Sequence, residues 1–136
     1  MIRFMLDTNV VRDLVREPHG QIASRVLRHG EERVGISIVT AAELHHGIVK
    51  RGSADLARRV GAILRQLPTL PLDSPADRLY GELRVDLERK GQKIGGNDML
   101  IAAHALALDC TIVTSNIAEF ARVKGLRVED WSKGRA

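Results

Sequence analysis

Four oxygen-bearing side chains in this chain sit at the ends of apolar runs. Asp7 closes Phe4-Met5-Leu6, and Glu43 follows the run from Val34 to Val39 by way of Thr40-Ala41-Ala42. Asp98 opens the apolar stretch from Met99 to Leu108, and Asn116 follows Thr111-Ile112-Val113-Thr114. An open α/β sheet gathers such ends at one edge. Carboxylates collected there suit a hard cation: Mg²⁺ or Mn²⁺ takes one or two of them directly and keeps several waters. Without an ion the acids repel one another. With one, the site can generate hydroxide, stabilise a phosphoryl centre and steady the leaving oxygen.

Each acid also has a plain structural use. Asp7 can cap the helix announced by Val10, Val11 and Leu14, with Thr8 and Asn9 as further capping side chains. Glu43 completes Thr40-Ala41-Ala42-Glu43, the pattern of a capping box. Asp98 falls where a helix dipole favours a carboxylate, although Asn97 already offers a cap. Glu119 lies one helical turn beyond Asn116 and rivals it for the fourth place. His45-His46 lacks the spacing of a zinc-binding helix and reads as surface or packing.

These residues need elements to hold them. Phe4–Leu6 reads as a first strand followed by a short helix and a turn at Pro18-His19-Gly20. Ile22, Val26 and Leu27 mark a second helix, ended by Gly30. Residues 34–39 read as a second strand with small Gly35 and Ser37 on one side, which suits a sheet covered on both faces. A helix from Thr40 closes at Lys50-Arg51-Gly52. Ser53 caps the next, whose stripe is Leu56, Val60, Ile63, Leu64 and Leu67. Pro68–Asp73 makes a proline-bounded edge strand. Ser74-Pro75-Ala76-Asp77 starts a helix through Leu79, Leu83 and Leu87 to Gly91. The helix after Asn97 is apolar nearly all round, so it is buried. Thr111–Thr114 is a fourth strand, and Val128 to Trp131 a last short one. The expectation is an α/β protein with a mainly parallel sheet of four to five strands between helices. One domain spans residues 1–132, with a frayed tail at 133–136.

Composition sets outer limits. The 136 residues suffice for one core, and 44% hydrophobic against 3% aromatic makes that core aliphatic. The 21 basic and 17 acidic residues leave a net charge of +4, compatible with a nucleic-acid ligand. Cys110 is the single cysteine, so an intrachain disulfide is excluded. With neither a signal-peptide pattern nor a membrane-length apolar run, a cytoplasmic protein is expected.

Taken together, Met5-Leu6-Asp7-Thr8-Asn9, Thr40-Ala41-Ala42-Glu43-Leu44, Asn97-Asp98-Met99-Leu100-Ile101-Ala102-Ala103-His104-Ala105 and Thr114-Ser115-Asn116-Ile117-Ala118-Glu119-Phe120 resemble the four signatures of PIN domains. More narrowly, they resemble the VapC toxins of bacterial type II toxin–antitoxin pairs. The resemblance covers essentially the whole chain. It implies a PIN-like three-layer fold and a Mg²⁺-dependent endoribonuclease, with Mn²⁺ as a substitute, that cleaves RNA such as tRNA or rRNA and inhibits translation. Asp7, Glu43 and Asp98 match the metal-binding acids. Asn116 stands where the family often has Asp, so a catalytic set of Asp7, Glu43, Asp98 and Asn116 is expected. The resemblance further implies a VapB-like antitoxin, a homodimer, and operator DNA contacted only through the antitoxin.

Two other readings compete. A phosphatase of the haloacid dehalogenase type needs a second Asp two residues after the first, and Asn9 stands there. A catalytically silent PIN fold serving as a binding module has no need of three retained acids.

Overall fold

The computed structural model describes residues 1–132; the tail expected to fray at 133–136 lies outside the described residues. Five strands form one sheet in the order β3-β2-β1-β4-β5, and every neighbouring pair is parallel. The strands are β1 (Phe4–Leu6), β2 (Val34–Ser37), β3 (Thr69–Leu70), β4 (Thr111–Val113) and β5 (Val128–Glu129). The helices are α1 (Thr8–Arg16), α2 (Gln21–His29), α3 (Ile38–Arg51), α4 (Ala54–Gln66), α5 (Ala76–Lys90), α6 (Gly96–Ala107) and α7 (Ile117–Phe120), with a 3-10 turn at Glu31–Arg33.

Alternation along the strands sorts the core into two layers. Leu6, Val34, Ile36 and Val113 face one side, where α1, α2 and α4 cover them with Val11, Leu14, Ile22 and Val60. Met5 and Ile112 face the other, against Ile101, Ala102 and Ala105 of α6 and Leu83 and Leu87 of α5. Each fully buried aliphatic side chain here is worth about 1.5–3 kcal/mol. Gly35 lets Leu70 pack close on this second face, where a Cβ would lie 2.7 Å from Leu70 Cδ1 and push that side chain aside. Gly52 and Gly91, at φ 62° and 65°, end α3 and α5 in the left-handed conformation that glycine adopts without strain.

The parallel, helix-covered architecture agrees with the sequence, but several element starts do not. Strand β2 stops at Ser37 instead of Val39, since Ser37 Oγ accepts from the Val39 amide at 3.1 Å and turns the chain into α3. Thr40 is therefore inside α3, and the capping box expected at Thr40–Glu43 does not form. Asp7 itself is the N-cap of α1, ahead of Thr8 and Asn9. Gly95, not Asn97, is the N-cap of α6. Helix α5 begins after Pro75, with no side-chain cap and a cis Ser74-Pro75 bond. Strands β4 and β5 are shorter than expected, ending at Val113 and Glu129.

This topology creates a crevice. From β1 the chain crosses to β2 on one side, and β4 later pairs on the other. The C-terminal end of β1 is therefore the switch point where open α/β sheets bind ligands. Asp7 is the next residue.

Candidate active site

Asp7 is nearly buried, at 4% exposure. Its Oδ1 accepts from the Val10 amide at 2.8 Å and its Oδ2 from Thr114 Oγ1 at 2.5 Å. The Thr114 hydroxyl in turn accepts from the Asn116 amide at 2.9 Å. The end of β4 thereby fixes the acid that ends β1. Burial pushes the Asp7 carboxyl above its ordinary range, against the pull of Thr114 and Val10; Glu119 and Glu43 add to the rise.

Glu43 sits two turns into α3 and is half-buried. Its Oε1 accepts from Thr8 Oγ1 at 2.5 Å, and the Thr8 hydroxyl also lies 3.3 Å from Thr40 Oγ1. Residue 8, at the mouth of the first strand, thus aims the acid of the third helix.

Asp98 occupies the first turn of α6. Its pKa is raised from 3.8 to about 7, first by desolvation, then by a hydrogen bond to Glu119 and by the charges of Glu119, Asp7 and Glu43. Glu119, in α7, accepts from the Gly95 amide at 3.3 Å through Oε1 and from Asn116 Nδ2 through Oε2. A carboxyl–carboxyl hydrogen bond needs a proton, and the raised Asp98 carboxyl is the group that supplies it.

The structure brings together Asp7, Glu43 and Asp98 as expected, and Glu119 with them. Asn116 is placed differently. It is exposed, and its amide nitrogen donates to Glu119. Its contribution is to hold Glu119 through the side chain and Thr114 through the backbone. The sequence offers Thr8 only as a capping side chain and Thr114 only as a strand end, whereas the structure has both donate to the acids. The usable signal was a hydroxyl next to a buried strand end, where an acid needs donors. His45 and His46 are exposed, as expected.

Among the described residues no ion pair reaches any of the four acids; the salt bridges lie elsewhere on the surface. Nor, among the described residues, does a group of three or more His, Cys, Asp or Glu converge as a ready-made cage. Mg²⁺ does not require one, because it is held through one or two carboxylates and retained waters. Oxygen donors alone, mutually repelling and lacking a cationic neighbour, fit a hard divalent ion.

The PIN domain family matches residues 4–126. Ribonuclease VapC2 of Rickettsia felis is 36% identical over 132 residues, covering 96% of this chain and 98% of that protein. The tRNA(fMet)-specific endonuclease VapC of Shigella flexneri is 37% identical over 134 residues, 97% of this chain and 100% of that one. Among solved structures, VapBC2 from Rickettsia felis bound to a promoter DNA fragment superposes with a TM-score of 0.88 at 34% identity, covering 96% of this chain and 99% of that one. DNA-bound VapBC from Salmonella typhimurium gives 0.86 at 34%, again over 96% and 99%.

Proposed function

This chain belongs to the PIN-domain family, as an RNA-cleaving hydrolase of the VapC type, and from that premise we propose that its four-acid edge binds Mg²⁺ and hydrolyses RNA as a toxin. The observation that supports this most is the gathering of Asp7, Glu43, Asp98 and Glu119 from four elements with no ion-pair partner among the described residues. When bound, Mg²⁺ supplies water activation at neutral pH and positive charge for the phosphoryl group.

The chain's own residues prepare that site. Asp7, held by Thr114 and Val10, and Glu43, held by Thr8, are fixed acceptors with defined orientation. The Asp98 carboxyl, raised to about 7, can release or take up a proton beside the reacting phosphate. Release of that proton raises the negative charge of the edge, which tightens its hold on a divalent ion. We assign the metal to Asp7, Glu43 and Asp98, with Glu119 in the fourth place and Asn116 as its support. Mn²⁺ is the expected substitute.

Regulation by an antitoxin belongs to the same reading. A groove of about 800 Å³ opens at Glu43, and Val15, Leu56, Arg12, Arg16, Lys50 and Arg51 are among the residues that line it. An antitoxin segment approaching there could place an Arg on the acids, where a guanidinium pairs two-pronged with carboxylate and displaces the metal. Any operator DNA would be bound through that partner, and the toxin itself would be a homodimer.

Sequencing of RNA 5′ ends after brief expression tests the function. The expected result is one dominant new end carrying a 5′-phosphate, in a structured RNA such as tRNA or rRNA, that vanishes with Asp98→Asn. Arrest of growth without new RNA ends would contradict it.

A further inference from the structure

Among the described residues, His104 is a buried polar side chain with a ring nitrogen, Nε2, left without a hydrogen-bond partner. It is 1% exposed and lies six residues after Asp98 on α6. Its Nδ1 is 2.8 Å from Ser37 Oγ, which is itself fully buried at the end of β2. Ser37 is the N-cap of α3, six residues before Glu43, and its Oγ already accepts from the Val39 amide. The Ser37 hydroxyl has both a hydrogen and a second lone pair free for Nδ1, so the pair is hydrogen-bonded whichever of the two donates. Nε2 has no hydrogen-bond partner among the described residues. Burial lowers the His104 pKa, which favours the neutral ring.

We infer that His104 is a positioning residue: its bond to Ser37 sets the register of the Asp98 helix against the Glu43 helix, and hence the span between those two carboxylates. The inference rests on the reading of Asp98 and Glu43 as metal-binding acids. The rest of α6 here is Ile101, Ala102, Ala103 and Ala105, and apolar contact of that kind has no preferred direction. A buried hydrogen bond does have one, and half-breaking it leaves an unpaired group in the core. Sites of this sort need their donors held to within about 0.5 Å, finer than an alanine face alone provides.

The test compares His104→Leu, His104→Asn, Ser37→Gly and the double variant His104→Leu/Ser37→Gly. Glycine at Ser37 removes the hydroxyl while remaining an acceptable N-cap. Readouts are thermal melting, Mn²⁺ affinity from the free-ion EPR signal, and kcat and KM for RNA with Mg²⁺. Loss of the strut should lower kcat and Mn²⁺ affinity by roughly 10–100-fold, as for outer-shell partners of metal ligands, with KM little changed. The double variant should fall no further than the worse single one. His104→Asn, whose amide oxygen can stand near the position of Nδ1, should recover most of both. A core histidine with no positioning role would give lower melting temperatures with kcat and Mn²⁺ affinity intact, and that overturns the inference. Additive losses in the double variant, or no recovery with Asn despite a restored melting temperature, also overturn it. Wild-type protein that binds no Mn²⁺ would instead sink the underlying reading and this inference with it.

Discussion

Acids stand at both ends of the sheet, and the two ends treat them in opposite ways. Where the strands begin, Asp109 sits in the turn between α6 and β4, 89% exposed, and Arg127 answers it at 3.1 Å. Arg127 also donates to the Asp109 carbonyl at 2.8 Å, tying the start of β5 to that turn. Where the strands end, four acids face one another, Asp7 almost wholly buried, with no cation among the described side chains that reaches them. Opposite charges at the first end account for themselves as structure. At the second, burial and repulsion work against ionisation of Asp7 and Asp98, and the fold alone gives no reason to accept that cost. A bound divalent ion gives one.

The largest effect should come from removing charge at the acid end. Asp98→Asn and Asp7→Asn should each cut RNA cleavage by more than about a hundredfold, beyond the usual loss for an outer-shell partner. Thermal stability of the metal-free protein should hold or rise, since a repelling carboxylate has gone. Cleavage assays and melts on purified variants measure both. Unimpaired cleavage by Asp98→Asn would remove the contrast between the two ends.

The fourth position comes next. Glu119→Ala should lose activity nearly as completely as the acid-to-amide changes, whereas Asn116→Ala should cost about tenfold, as a support for Glu119 and not an acceptor itself. Thr8→Val and Thr114→Val should fall in the same range as Asn116→Ala. A dead Asn116→Ala beside an active Glu119→Ala would restore Asn116 as the fourth site residue.

A smaller, opposite-signed signature is expected with pH. Because the Asp98 pKa is raised from 3.8 to about 7, the folded state holds this proton more tightly than the unfolded chain does. The group therefore favours folding fully below about pH 4, and that contribution fades as pH rises toward 7. Without divalent ions the melting temperature should fall across this window, and Asp98→Asn should flatten that part of the slope. Added Mn²⁺ at pH 7.5 should restore stability by mass action. The smallest effect belongs to the other end: Asp109→Asn should change stability by less than about 1 kcal/mol and leave cleavage alone, as for an exposed ion pair.

Particular residues show how far the sequence could be read. Asp7, Glu43 and Asp98 were legible because each ends or begins an apolar run, and parallel strands send such ends to one edge. Helix starts were less legible. Ser37 sits inside an apolar run and nothing local marks it as a cap, so the strand was carried two residues too far and a capping box was placed at Thr40. Asn116 was preferred over Glu119 because it directly follows the strand. Only the fold of the short α7 helix brings Glu119 back against Gly95 and Asp98. The His104–Ser37 bond joins residues 67 positions apart, and no local pattern announces it.

The central claim is that the four acids form one divalent-ion site, and Mn²⁺ titration followed by the free-ion EPR signal at pH 7.5 tests it most directly. Wild-type protein should deplete the free signal saturably, with Mg²⁺ competing, and Asp98→Asn should weaken that depletion by at least about tenfold. Equal depletion by wild type and Asp98→Asn, or none by either, would contradict the account.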